Sequence, residues 1–250
     1  MSDLPEPIPA ATLVLMRPAA AGAPQLLMME RTRSMAFAAG ALVFPGGRID
    51  PDDEVLAERI GGAVEFAPAR IAAIRETIEE TGLAPAVVPP PSAALVAQLR
   101  QELEDGAPFS ALLEAHGLSL DLEALTPFAR WCPTFKEARR FDTLFFLAEA
   151  PAGAATAAEA EAVRILWASA NEVLDEANAG RARIIFPTRR NLERLARYAS
   201  FEEASADAQR YPVRKVVPWL EERDGAQWLC IPDDLGYPVT AELAETARRT

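Results

Sequence analysis

The chain has 250 residues, of which 50% are hydrophobic, so it can bury the core of one large domain or two small ones. Its formal net charge of −12 excludes sequence-independent binding to duplex DNA, and we expect no nucleic-acid partner. The two cysteines, Cys132 and Cys230, form no CxxC pair, which argues against a zinc site. The sequence predicts no signal peptide and no membrane span, so we expect a cytoplasmic protein with no membrane partner.

The predicted elements begin after a flexible arm at residues 1–10. Ala11–Met16 and Gln25–Glu30 are predicted to form the two strands of a hairpin. Arg31 and Arg33 follow the second strand. They are candidates for contacts with phosphate groups, and an ordinary solvated loop is an equally good interpretation.

A third strand is predicted at Leu42–Phe44, where Pro45, Gly46 and Gly47 stop it sharply. Glycine lets a backbone carbonyl or N–H group come close to an ion or a phosphate. This turn is therefore a candidate part of a binding site.

A helix follows that ends at Gly82 and has an apolar stripe formed by Ile71, Ile74 and Ile78. Three carboxylates lie on its opposite side at spacings of three and four residues: Glu76, Glu79 and Glu80. Most charged helix faces are simply solvated. In a concave site, the same cluster would suit Mg²⁺ or Mn²⁺, which commonly bind together with substrate phosphates.

The glycine turn and this helix together resemble the signature of the Nudix hydrolase family. That signature is Gly, five residues, Glu, seven residues, then Arg-Glu-apolar-X-Glu-Glu-X-Gly-apolar. Gly47 is followed after five residues by Asp53 in place of Glu, and Arg75–Leu83 matches at each defined position. The spacer is longer than seven residues, and we interpret residues 54–66 as mostly an insertion in the loop before the helix. This departure leaves the role of Asp53 open.

The resemblance implies an α/β fold, a Nudix-type α/β/α sandwich around a mixed sheet, in a single domain at residues 11–231. It also implies that Glu76 and Glu80 are metal ligands, and that Glu79 is a further ligand or a base. The Gly46 carbonyl would complete the metal's inner shell, Gly47 would lie against substrate, and Arg75 would orient a carboxylate through a bidentate pair. The implied reaction is hydrolysis, dependent on Mg²⁺ or Mn²⁺, of a nucleoside diphosphate linked to another group X.

Residues 92–130 are predicted to form a helical insertion, with helices at Ala93–Leu103 and Phe109–His116. His116 is the only histidine, and its place before Gly117 favours a helix-end role over that of a general base. A buried strand is predicted at Phe141–Leu147. Arg139 and Arg140 precede it as candidate phosphate ligands, with ion pairing to nearby acids an equal alternative.

The last third of the chain is predicted to contain a loop at residues 150–162, a strand at Val163–Trp167 and a helix at Ser169–Ala177. The late acids Glu159 and Glu161 are interpreted as solvated rather than catalytic. Another helix opens at Phe186 with Arg189 and Arg190 near its start, where an anion could bind, although a surface helix is equally consistent. A final pair of strands is predicted at Val213–Pro218 and Trp228–Ile231, followed by a tail at residues 232–250 that is a short polar helix or disordered.

The stretch from Trp131 to Leu147 resembles the larger Nudix enzymes related to the peroxisomal coenzyme A diphosphatases, which also carry a long insertion inside the motif. Gly40 to Gly47 fits the end of a segment found in that branch, whereas Ala36 departs from it. Coenzyme A or an acyl-coenzyme A is thus the first-choice substrate. The alternatives are ADP-ribose, NADH or a nucleotide sugar, and a non-catalytic Nudix-fold binding module; a homodimer is left open.

Overall fold

A computed structural model describes residues 5–32, 38–133, 140–158 and 162–247 of the chain, and its longest strand organises the main sheet. This strand, β1 (Ile8–Arg17), runs parallel to β8 (Phe141–Glu149) along its whole length. Because side chains alternate along a strand, β1 supplies apolar residues to both faces of the sheet. Ala11, Leu13 and Leu15 are buried on one face, and Val14 and Met16 are buried on the other.

On its other edge, β1 has two successive antiparallel partners. It pairs near its end with β2 (Gln25–Arg31), and near its start with β4 (Gly46–Arg48). The short strand β3 (Leu42–Val43) pairs with β2, so β3 and β4 form a wedge between β1 and β2. This wedge places the predicted glycine turn between two long strands.

The remaining strands extend the sheet on both sides. β7 (Thr126–Trp131) pairs with β8, β10 (Lys215–Val216) pairs with β7, and β9 (Ala162–Ser169) pairs with β2. Within the described residues, the main mixed sheet therefore has eight strands. Two small antiparallel sheets complete the strands: β5 (Val87–Val88) with β6 (Ser119–Leu120), and β11 (Trp219–Arg223), β12 (Ala226–Cys230) and β13 (Ala241–Leu243).

Helices cover both faces of the main sheet. One face packs against α1 (Pro51–Ile60), α2 (Ala67–Thr81), α3 (Ala93–Glu104), α4 (Phe109–Ala115) and a 3₁₀ turn at Leu122–Ala124. The other face packs against α5 (Ala170–Asn178), α6 (Phe186–Leu195), α7 (Phe201–Ala208) and α8 (Ala244–Ala247). The predicted α/β/α sandwich around a mixed sheet is thereby confirmed. Among the helices that the structure describes, none is long and apolar enough to cross a membrane.

Several predicted boundaries differ from the structure. β1 begins at Ile8, inside the predicted arm, because its first residues pair with β8. The spacer at 54–66 was predicted to be a loop insertion, but its first half belongs to α1, whose Leu56 is buried in the core. Asp52 at the start of α1 accepts hydrogen bonds from the backbone N–H and hydroxyl of Ser110, at 2.9 and 2.6 Å, and so joins the spacer to α4.

The predicted tail contains a short helix, α8, which was one of its two predicted alternatives, and a strand that was not predicted. Residues 241–243 form β13, and Ala247 of α8 is buried in the core. The predicted pair of final strands is wrong in its partners, because Lys215–Val216 joins the main sheet and β12 pairs instead with Trp219–Arg223. Short polar-rich strands such as β11 have no buried face, so the apolar pattern that identifies a strand is missing from the sequence.

Candidate active site

The helix α2 carries the acidic cluster, and the burial of its apolar stripe determines the direction in which the acidic side chains point. Ile71, Ile74 and Ile78 are fully buried against the sheet. The helix ends at Gly82, which is left-handed with a φ of 65° and donates its N–H to the carbonyl of Ile78. The opposite side of α2 is not an ordinary solvated face, since the side chains of Glu80, Glu76 and Glu79 are only 2%, 16% and 28% exposed.

Two of the carboxylates lie against the glycine turn. The N–H of Gly46 donates to Glu80 Oε2 at 2.7 Å. A Cβ atom on Gly46 would lie 2.3 Å from the carbonyl oxygen of Ala11, and one on Gly47 would lie 2.3 Å from the carboxylate of Glu76. A side chain at position 46 would therefore collide with the backbone of β1, and one at position 47 would displace the carboxylate of Glu76 from the turn.

Arg75 joins the carboxylates of α2 to the rest of the motif. Its Nε and Nη2 atoms donate to the two oxygens of Asp53 at 3.1 and 2.9 Å, which is a bidentate ion pair. Its Nη1 atom donates to Glu76 and to Glu79, at 3.0 Å each. One guanidinium thus holds two members of the acidic cluster in fixed relation to a third carboxylate from another helix.

Asp53 reaches this position because of α1. It lies in the first turn of that helix, is fully buried, and accepts a hydrogen bond of 2.8 Å from the N–H of Asp50. The long spacer therefore does not displace Asp53 from Arg75. The insertion lies downstream of Asp53, in the rest of α1 and the loop that returns to α2.

The buried ion pair has opposing electrostatic effects on its members. Burial raises the pKa of the Asp53 carboxyl, and the hydrogen bonds from Arg75 and Asp50 act in the opposite direction. Burial lowers the pKa of the Arg75 guanidinium, but the hydrogen bonds and charges of Asp53, Glu76 and Glu79 outweigh it and raise that pKa. Arg75 is consequently a permanent cation at this site.

Arg31 is the predicted phosphate-binding residue that the fold brings to the cluster. It ends β2, and its Nη1 atom lies 4.0 Å from Glu80 Oε1. Within the described residues, its buried Nε atom has no hydrogen-bond partner. A buried donor without a partner is costly, so a ligand that accepts from this atom would bind favourably.

Other predicted ligands are placed elsewhere. Arg189 lies on α6, on the sheet face opposite α2, and its Nη1 donates to Asn178 Oδ1 at 2.9 Å. Its neighbour Arg190 is paired with Glu193 and Glu242. Both arginines are buried, which contradicts the surface-helix interpretation, whereas the anion site at this helix start stays a prediction.

Arg140 lies beside the start of β1, where it donates to the carbonyl of Pro5 at 3.2 Å and approaches Cys132 Sγ at 3.4 Å. His116 lies at the end of α4, as predicted, with its Nε2 atom 3.8 Å from Glu102. Four other candidates lie outside the described residues: Arg33, Arg139, Glu159 and Glu161.

One residue near the cluster was missed by sequence reasoning. Arg100 of α3 donates to the backbone carbonyls of Glu79 and Glu80, at 2.8 and 3.4 Å. No sequence signal distinguishes it from the other polar residues of a helix in an insertion. Its partners are backbone groups distant in the chain, and only the fold brings them together.

The donor set fits a hard divalent cation in its chemistry. Glu76 and Glu80 present carboxylate oxygens on the two sides of the glycine turn, and oxygen ligands suit Mg²⁺ and Mn²⁺. Within the described part of the chain, no three His, Cys, Asp or Glu side chains converge as a preformed metal site. Arg75 and Arg31 instead neutralise the carboxylates in this arrangement.

No protein-family model and no curated protein matches the sequence. Among solved structures, the chain is similar to a NUDIX hydrolase from Alicyclobacillus acidocaldarius, with 30% identity, a TM-score of 0.71, and coverage of 80% of this chain and 96% of that one. It is similar at 17% identity to a MutT NUDIX hydrolase from Burkholderia pseudomallei, with a TM-score of 0.44 and coverage of 76% and 98%. It is similar at 15% identity to a MutT protein from Methanosarcina mazei Go1, with a TM-score of 0.46 and coverage of 78% and 97%.

Proposed function

Because this chain belongs to the Nudix hydrolase family, we propose that it hydrolyses the diphosphate bond of a nucleoside diphosphate linked to a second group X. The observation that carries this proposal is the burial of Glu80 against the N–H of Gly46, beside Glu76 and the cation Arg75. Clustered, partly desolvated carboxylates are costly unless positive charge compensates them. Such a cluster is suited to a substrate that arrives with a divalent cation.

Glu76 and Glu80 would hold Mg²⁺ or Mn²⁺, with the Gly46 carbonyl as a further oxygen donor. Such a cation supplies charge neutralisation at the diphosphate and makes a nearby water more acidic. Glu79 is the most exposed of the three carboxylates, which supports its role as the group that accepts the proton of the attacking water. Arg75 positions Glu76 and Glu79 through Nη1, and Asp53 fixes Arg75 in turn.

Substrate contacts are proposed for Arg31 and for the backbone at Gly47. Within the described part of the chain, the Nε atom of Arg31 has no hydrogen-bond partner, so it is a donor suited to a phosphate oxygen, and the guanidinium lies beside Glu80. Arg189 is not included, because α6 packs on the other face of the sheet. Arg140 is kept only as a candidate at the start of β1.

Coenzyme A or an acyl-coenzyme A is the proposed substrate, on the strength of the sequence resemblance from Trp131 to Leu147 and of the long insertion inside the motif. One residue of that stretch is structural: Asp142 accepts two hydrogen bonds from Arg130 and lies 2.6 Å from Lys215 Nζ. Asp142 thus joins β7, β8 and β10, and these contacts do not identify a substrate. An ADP-ribose, NADH or nucleotide-sugar diphosphatase therefore remains the alternative within the same chemistry.

The non-catalytic binding module is disfavoured by the intact network. Arg75 contacts Asp53, Glu76 and Glu79 at once, and a module that only bound ligand would have no need of this arrangement. Dependence on the cation separates the two possibilities, because a binding module should bind its ligand without one.

Product analysis by mass spectrometry tests the proposal directly. The protein is incubated with Mg²⁺ or Mn²⁺ and with coenzyme A, acetyl-coenzyme A, ADP-ribose, NADH and UDP-glucose, and Glu80→Gln serves as the control. We expect adenosine 3′,5′-bisphosphate from coenzyme A with the wild type alone. AMP formed from ADP-ribose or NADH would support the proposed reaction but contradict coenzyme A as the substrate. If no diphosphate is cleaved, the proposed function is overturned.

A further inference from the structure

The end of the carboxylate helix has an unfavourable charge distribution of its own. The C-terminal end of a helix carries partial negative charge on its free carbonyls and is stabilised by nearby cations. The last turn of α2 contains no basic residue, yet Glu76, Glu79 and Glu80 all lie in its second half. A positive charge from another part of the chain would therefore stabilise this end of the helix.

Arg100 of the helical insertion supplies that charge. Its Nε atom donates to the carbonyl of Glu79 at 2.8 Å, and its Nη2 atom approaches the carbonyl of Glu80 at 3.4 Å. Its side chain is only 15% exposed and is supported by Glu104, one turn later on α3, at 3.4 Å. The guanidinium thus binds the backbone of the two residues whose side chains belong to the candidate active site.

The same guanidinium also binds the segment that follows β8. Its Nη1 atom donates to the carbonyl and the hydroxyl of Thr156, at 3.1 Å each. The backbone of this segment bonds the helix end as well: the N–H of Thr156 donates to the carbonyl of Thr81, and that of Ala158 to the carbonyl of Glu80. Arg100, which belongs to α3, therefore joins that helix both to the end of α2 and to residues 151–158.

Gly82 makes this close approach possible. A Cβ atom there would lie 3.0 Å from Thr156 Oγ1 and 3.5 Å from Arg100 Nη1, and its φ of +65° disfavours other residues. A second, reciprocal contact ties the insertion to the first half of α2, where Arg70 donates to the carbonyls of Leu122 and Leu125. The helical insertion is consequently attached to the carboxylate helix at both ends.

We propose that Arg100 is a positioning residue, through which the helical insertion sets the backbone of Glu79 and Glu80 and so the placement of their carboxylates. The proposal rests on the function proposed above. Glu80 is then fixed from two directions, at its carbonyl by Arg100 and Ala158 and at its carboxylate by Gly46. Because catalytic groups must be held to within a fraction of an ångström, loss of Arg100 should lower the rate more than it weakens substrate binding.

Three variants of α3 test this proposal: Arg100→Ala, Arg100→Lys and, as a matched control, Gln98→Ala. Gln98 is exposed on the same helix, where it donates to Glu102 at 3.0 Å. The measurements are kcat, KM, thermal unfolding, and the Kd for Mn²⁺ by titration without substrate. For Arg100→Ala we expect kcat to fall about 10- to 100-fold while KM changes less than about threefold, and the Kd for Mn²⁺ to weaken about tenfold.

Arg100→Lys should recover part of both losses, because an ammonium keeps the charge but not the planar fork of donors. It also keeps the test decisive if Arg100→Ala fails to fold. Unchanged kcat and Mn²⁺ affinity in folded Arg100 variants would overturn the proposal, as would equal losses in Gln98→Ala. If the wild type binds Mn²⁺ but cleaves no diphosphate, the proposed function is refuted, and the role of Arg100 is still tested by the Mn²⁺ affinities of the variants. If the wild type neither binds Mn²⁺ nor cleaves a diphosphate, the proposed function and the role of Arg100 are both overturned.

Discussion

Two helices of this protein bury charged side chains, and they do so for different purposes. α6 buries Arg189, Arg190 and Arg194, and α2 carries three carboxylates, two of which lie against the glycine turn. On α6 each guanidinium has at least one protein partner, as when Arg194 donates to the carbonyl of Phe128 at 3.0 Å and stacks on the Phe128 ring. Within the described residues, the buried Nε atoms of these three arginines have no hydrogen-bond partner. On α2, Arg75 and Arg31 lie within 4.0 Å of the acids among the residues that the structure describes.

The difference shows how a structural charge cluster can be told from a functional one. Arg190 is paired with two acids, Glu193 and Glu242, on the face of the sheet that the helices α5 to α8 cover completely. Glu76 and Glu79 share a single nitrogen of Arg75 and keep part of their surface in solvent. Paired charge inside a core stabilises one arrangement, whereas partly exposed charge at the edge of a core is accessible to a ligand.

Glu80→Gln should give the largest effect on the functional side of this comparison. The amide keeps the size of the side chain but removes the charge that a cation requires, so we expect kcat/KM to fall at least about 100-fold. Thermal unfolding should change little. Glu193→Gln on α6 is the matched control, and an equal loss of activity in that variant would erase the distinction between the two helices.

Gly47→Ala should damage the same site by steric means. The added methyl group would lie 2.3 Å from the Glu76 carboxylate, which must move away from the turn. We expect activity to fall about 10- to 100-fold, as measured by steady-state kinetics. Gly62→Ala provides the control, since among the described residues a Cβ atom added at Gly62 would have no atom within 4 Å. Because the φ of Gly62 is +81°, the substitution should lower the free energy of unfolding by about 1 kcal/mol and leave activity unchanged.

Asp53→Asn should weaken both stability and activity. The substitution leaves Arg75 buried without its bidentate partner, and breaking a buried ion pair costs about 3–5 kcal/mol. Activity should fall about tenfold because Glu76 and Glu79 lose a fixed anchor. Urea unfolding and kinetics on the folded fraction would measure the two effects, and a variant unchanged in both would show that Arg75 needs no orienting partner.

Glu193→Gln should give the smallest effect, confined to the pH dependence of stability. Burial raises the pKa of Glu193 from 4.5 to about 7. The folded state therefore holds this proton where the unfolded chain has lost it, and stability falls as pH rises from about 4.5 to about 7. Between pH 5 and pH 8 the wild type should lose about 1–3 kcal/mol more than Glu193→Gln in urea unfolding; equal losses would contradict the assignment.

The helix and the turn could be predicted because each depends on local pattern, and the fold could be predicted because the motif resembles that of a known family. The stripe of Ile71, Ile74 and Ile78 set the orientation of the helix, and residue types alone identified Gly46 and Gly47. The partner of Asp53 and the role of Arg100 could not be predicted, because both depend on the packing of helices distant in sequence. The burial of Arg189 and Arg190 could not be predicted for the same reason, because the sequence around an arginine at a helix start does not show whether it faces solvent or the protein interior.

The position of Asp53 in the first turn of α1 has a consequence for how such motifs should be defined. Asp53 is anchored from the amino-terminal side, by the N–H of Asp50, and it meets Arg75 across space. Everything between the rest of α1 and the start of α2 can lengthen or shorten without moving either end of that contact. The two halves of the motif are joined by a contact and not by a residue count, so chains with quite different spacers can share one catalytic architecture.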